Sequence, residues 1–165
     1  MIFLGVKVII LAIYTYTSKA IVFPDFFTIF VHMKQMKRYT IEVRCNHREW
    51  WRYNVQLMCD ELDASGERIH FGTASSEIAE VGANLKVPPA EKKIPSKISY
   101  TTEPCHTARL YLYILPHSLP TEREVAAVSP FKITIKLSCN GTAIRTEQPV
   151  VNPWGGLSLI LPIGE

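Results

Sequence analysis

Three short constellations in this 165-residue chain hold residue types capable of chemistry. Cys105-His106 sets a thiol beside an imidazole, the pair that nucleophilic catalysis uses when the imidazole takes the thiol proton. Neighbouring residues on an extended chain point to opposite faces, so these two do not pair with each other. A base such as His70 would have to come from elsewhere in the fold. Cys45-x-His47 and Cys105-His106 together offer four zinc ligands, but the chain has no Cys-x-x-Cys and Cys45 falls on a core position of its strand. Asn140-Gly141-Thr142 matches a glycosylation acceptor, yet Asn-Gly already has a turn explanation. There is no glycine-rich phosphate loop and no paired-carboxylate motif. The reading is a non-enzymatic protein with no catalytic residue, no metal and no cofactor.

Binding chemistry is what remains. His47-Arg48-Glu49-Trp50-Trp51 puts two tryptophans at an expected hairpin, where alternation lets only one face the core. Trp51 is expected inward with Tyr53, leaving Trp50 at the turn edge between Arg48 and Arg52. Trp and Arg are enriched in binding hot spots. Packing of Trp50 against a neighbouring loop is the plainer alternative. Trp154, in Asn152-Pro-Trp-Gly-Gly, is a loop tryptophan that either binds or plugs one end of the domain. Residues 107–115 are apolar on both faces, with Tyr111, Tyr113 and Leu115 opposite Leu110, Leu112 and Ile114. Such a strand is covered twice, the second time by the following crossover or by a partner protein.

The elements that carry these residues are strands. Residues 38–46 alternate, with Tyr39, Ile41, Val43 and Cys45 inward. Residues 51–62 repeat the pattern with Trp51, Tyr53, Val55, Leu57 and Cys59, and the two segments read as one hairpin turning at residues 47–50. Asp63-Ala64-Ser65-Gly66 is turn chemistry. Residues 68–72 read as a short strand with Ile69 and Phe71 inward, and a strand around residues 83–87 is possible on pattern. Residues 88–95 form an exposed loop. Strands follow at 97–102 and 107–115. Residues 116–130, with Pro116, Pro120 and Pro130, make a long crossover with room for one helical turn at 122–127.

Residues 131–139 give the cleanest alternation, with Phe131, Ile133, Ile135, Leu137 and Cys139 inward. Asn140-Gly141 then predicts a type I′ turn, because both central residues need positive φ. That turn sets Cys139 opposite Thr142, Leu137 opposite Ile144 and Ile135 opposite Thr146. The last strand spans residues 157–163. Seven to eight short strands predict an all-β fold, a two-sheet antiparallel sandwich, with a partly open β-barrel as the alternative.

Residues 1–35 read differently. The stretch 1–31 is almost continuously apolar, and residues 1–32 hold six Ile and five Phe but no Glu, Gln or Arg. Lys7 and Ser18-Lys19 cut it below the ~20 apolar residues that a membrane span needs. A signal peptide would have its charge ahead of the apolar core, and this one does not. Anchor, signal and a spurious extension with the true start near Met36 all stay open. Residues 36–165 form the sandwich domain.

Without Lys7, Lys19, Lys34 and Asp25, 15 basic side chains stand against 14 acidic, a net +1. That balance is no footprint for nucleic acid, which needs clustered cations. On a hairpin, Cys45 and Cys59 would lie roughly 20 Å apart along the ladder, beyond the ~7 Å that a disulfide allows. A Cys59–Cys139 or Cys45–Cys139 bridge across sheets stays open. Reduced, buried cysteines fit a cytoplasmic protein, with a membrane-anchored or exported envelope domain as the alternative. The expected role is a module that binds another protein, as an assembly component or accessory factor. The alternatives are an envelope-anchored domain and a carbohydrate-binding module with an aromatic platform.

Overall fold

A computed structural model of the chain describes residues 36–91, 94–119 and 129–164. The chain divides into the units Met1–Gln35 and Met36–Glu165, and every described residue belongs to the second. The expectations about residues 1–35 and about a helical turn at 122–127 lie outside the described residues.

The domain is an all-β sandwich of two four-stranded antiparallel sheets. Its strands are β1 (Tyr39–Arg44), β2 (Tyr53–Leu62), β3 (Arg68–Ser76), β4 (Lys97–Thr101), β5 (Thr107–Pro116), β6 (Phe131–Lys132), β7 (Thr134–Cys139), β8 (Thr142–Glu147), β9 (Val150–Val151) and β10 (Leu157–Ile163). One sheet has the order β4-β1-β7-β8 and the other β10-β5-β2-β3, while β6 and β9 form a small separate pair. Among the described residues no pairing joins the two sheets into a closed barrel.

The core is where the alternating faces meet. Ile41, Leu57, Leu110, Leu112, Ile114, Ile135 and Leu137 are fully buried. Each such side chain contributes about 1.5–3 kcal/mol over its exposed state. Alternation therefore sets the inward face correctly in β1, β2 and β7.

Five local expectations are corrected. First, β1 and β2 do not form a hairpin. β1 pairs with β4 and β7, and β2 pairs with β3 and β5, so they lie in different sheets. Residues 50–52 between them are a single 3₁₀ turn (Trp50–Arg52) rather than strand. Second, β3 runs on to Ser76, and its phase is opposite to that expected. Gly72 stands opposite Cys59 on the inward side, so Phe71 faces out, and a bulge after Glu61 leaves Ile69 outside the pairing. Third, residues 83–87 hold no strand.

Fourth, residues 131–139 are interrupted at Ile133: β6 pairs with β9 and β7 with β1 and β8. Fifth, the Asn140-Gly141 turn has positive φ at both residues, 49° and 82°, and it does set Cys139 opposite Thr142. A bulge then shifts the register by one, so Leu137 faces Arg145 and Ile135 faces Glu147.

Candidate functional site

The Arg48–Trp50–Arg52 patch does not assemble on the surface. A 3₁₀ turn has about three residues per turn, so two-residue alternation fails across it and both tryptophans turn inward. Trp50 is buried, stacks on Tyr53 with ring centroids 5.9 Å apart and meets Phe131 edge-on. Its Nε1 donates to the Pro95 carbonyl at 3.2 Å. Trp51 is also buried, with the Arg52 guanidinium 4.7 Å above its ring. Arg52 is itself buried and pairs with Glu49 at 2.5 Å, while Arg48 stays exposed. Trp154 is exposed at the tip of a turn closed by Asn152 and Gly156, with its backbone N–H donating to Asn152 Oδ1.

Tyr111 and Tyr113 do share a surface, the outer face of the β10-β5-β2-β3 sheet. Cross-strand partners in an antiparallel pair lie on one face, so the register reads off the rows. Ile160, Tyr111, Met58 and Thr73 form one row, and Ser158, Tyr113, Gln56 and Ser75 the next. Pro162, Arg109, Asp60 and Phe71 form the third. Ile160 is 56% exposed and Phe71 45%, whereas Met58, Tyr111 and Tyr113 are half-buried. Asp60 organises one end of the face: it accepts from Tyr111 Oη at 2.9 Å and from Arg68 Nη1 at 3.3 Å. Arg68 in turn lies 5.8 Å above the Phe71 ring. Leu115 is exposed further along β5.

Sequence reasoning missed Glu61. It is wholly buried, on the inward face of β2 two residues past Cys59. Its Oε1 accepts from Tyr100 Oη at 2.6 Å, and its Oε2 accepts from the Glu103 N–H at 3.1 Å and lies 3.2 Å from His70 Nδ1. The β2 alternation, carried one step further, was the available signal. A buried carboxylate survives only when its oxygens are hydrogen-bonded, and here both are. Burial, followed by the carboxylate itself, pushes the Tyr100 phenol up.

The chemistry-bearing pairs of the sequence are not brought together. Cys105 is fully buried and exchanges two backbone hydrogen bonds with Lys37, while the Cys45 N–H bonds to Ser96 at the other end of β1. Eight residues of extended chain hold the two thiols about 26 Å apart, so Cys45-x-His47 and Cys105-His106 do not converge on one ion. Cys139 stands opposite Tyr39, again a strand's length from Cys45. All four cysteines carry free thiols. Burial pushes the Cys59 thiol up to about 12 and raises those of Cys45 and Cys105, which keeps them protonated and unreactive. His47 stacks on Phe131 with centroids 4.0 Å apart, and its Nδ1 accepts from the Glu49 N–H at 3.2 Å. Among the described residues no group of three or more His, Cys, Asp or Glu side chains is placed to hold a metal.

No family model matches the sequence, and no curated protein is similar to it. Two solved structures are similar to the chain. One is a domain of unknown function, DUF4425, from Bacteroides vulgatus, at 10% identity and a TM-score of 0.41, covering 78% of this chain and 93% of that one. The other is a DUF4425 family protein from Bacteroides ovatus, at 9% identity and a TM-score of 0.38, covering 78% and 94%. No residue role is taken from either.

Proposed function

We propose that residues 36–165 form a non-catalytic module that binds another protein through the outer face of the β10-β5-β2-β3 sheet. The observation that carries this reading is the row Ile160–Tyr111–Met58, with Phe71 in the adjoining row. Single exposed apolar residues are ordinary, but a contiguous set on one flat face is the usual mark of an interaction surface.

The sheet edges suit a partner less well. β3 and β8 carry bulges, β4 is five residues long and begins with Lys97, and β10 carries Pro162. These are the devices that blunt strand addition. The charges at the end of the face have both signs, Asp60 against Arg68 and Arg109, which favours a protein over a nucleic acid. On this reading the module itself serves as an assembly component or accessory factor.

The test is capture of a partner from a lysate of the source cells by the native chain and by an Ile160→Asp, Tyr111→Ala variant that keeps its circular dichroism. Loss with the variant supports the site, and unchanged capture overturns it. The same variant on a glycan array addresses the carbohydrate-platform alternative, for which the argument is Tyr111 and Tyr113 side by side on one face. Glycan binding that the variant abolishes would replace the protein partner with a sugar. A cytoplasmic setting goes with the reading, because the cysteines are free. Among the described residues no helix is long and apolar enough to cross a membrane. A native product found in membranes with residues 1–31 intact would favour the envelope-anchored alternative.

A further inference from the structure

Where β8 and the end of β10 border the core, a cleft of about 550 Å³ opens. Tyr39, Leu137, Ile144 and Ile163 give it apolar walls, Lys37 and Arg145 give it two cations, and among the described residues no carboxylate lines it. The β7–β8 bulge builds this lining. In an unbroken register Ile144 would face Leu137, and Arg145 would turn to the opposite side. The bulge brings Arg145 opposite Leu137 and leaves Ile144 as the extra residue, so that an apolar and a cationic side chain both reach the cleft. Bulges commonly re-aim side chains beside functional sites.

We propose that this cleft binds a small organic carboxylate with a short apolar body. Its volume falls within the range of small-molecule sites. The apolar body lies against Ile144 and Ile163, and the carboxylate sits between Lys37 and Arg145. Arg145 is fixed by a side-chain bond and Lys37 through its backbone alone. Lys37 exchanges two backbone hydrogen bonds with Cys105, at 2.7 and 2.9 Å. Arg145 Nε donates to Glu147 Oε1 at 2.6 Å, which fixes the guanidinium plane. A guanidinium presents five N–H groups in a rigid fork, so a second carboxylate can bond to its remaining edge. The site shares only Pro162 with the outer sheet face and none of the residues varied in that test, so the two proposals stand or fall separately.

The test is an amide-resolved NMR titration of the full chain with octanoate and, in parallel, with octanol. Octanoate should give saturable shifts centred on Lys37, Ile144 and Arg145, and octanol should bind more weakly. Lys37→Gln and Arg145→Gln should each weaken octanoate binding by about fivefold while leaving the spectrum folded, and Ile144→Ser should weaken both ligands. Three results would overturn the proposal: no saturable shift, equal affinity for octanol, or shifts centred on Ile160 and Tyr111 instead.

Discussion

The Tyr100 phenol occupies the space that Gly72 leaves empty. A Cβ at Gly72 would fall 1.6 Å from Tyr100 Oη and 2.1 Å from Cζ. Through that gap Tyr100, on β4 of one sheet, reaches Glu61 on β2 of the other. Glycine is needed here for close approach rather than for a special φ.

Gly72→Ala should therefore displace the Tyr100 ring and strip Glu61 of its phenol donor. The combined overpacking and lost hydrogen bond should cost about 3 kcal/mol, read by urea denaturation. In a Tyr100→Ala background the same substitution should cost far less, because the two residues compete for one space. Equal costs in both backgrounds would refute the packing.

Glu61→Ala should cost about 2–3 kcal/mol, since it empties a buried site and takes the acceptor from the half-buried Tyr100 hydroxyl and from the Glu103 N–H. Glu61→Gln keeps one amide oxygen as an acceptor and should lose less. Stability measured for the two variants in one buffer decides it, and a Gln variant as unstable as the Ala variant would contradict the hydrogen-bond account.

The two candidate tryptophans should separate cleanly. Trp50→Ala empties a buried site against Tyr53 and Phe131 and should cost about 3–5 kcal/mol. Trp154→Ala, at an exposed turn tip, should stay within about 1 kcal/mol. Thermal melts of both variants test this. A large loss at Trp154 would place its ring in packing that the turn does not provide.

His47 gives a pH dependence with a definite sign. Burial lowers its pKa below the ordinary histidine value, so the unfolded chain takes up the proton first. Its contribution is complete above about pH 6.5 and is lost as pH falls through the lower folded value. Melting temperature should drop between about pH 7 and pH 5, and His47→Asn, whose amide oxygen can still accept from the Glu49 N–H, should flatten that slope. Glu42, held down first by its hydrogen bond to Arg44, and Asp63, held down first by Ser65, act separately at more acid pH. An unchanged slope in the Asn variant would rule out His47 as the source.

How much was legible follows the range of each signal. The Asn140-Gly141 turn and the β10 bounds of 157–163 are local, and both were read correctly. The β1–β2 hairpin expectation rests on proximity in sequence, and alternation does not decide it, because alternation assigns a face and not a neighbour. The expectation of Trp50 at the surface fails because a two-residue period does not hold through a three-residue turn, and the alternative, packing against the loop that ends at Pro95, is what occurs. Phe71 was misjudged because its strand's phase depends on Cys59 and Gly72 facing each other.

By itself, then, the sequence determined the class of fold, the inward residues of β1, β2 and β7 and the turn that starts β8. Those depend on a residue's own side chain and its near neighbours. Tertiary structure alone decided which strands pair, where the bulges fall, that Trp50 and Arg52 are buried, and that Ile160, Tyr111 and Met58 share one row. The reason is physical: a strand buries the same face in several pairings, and the choice among them rests on long-range packing such as Tyr100 fitting over Gly72.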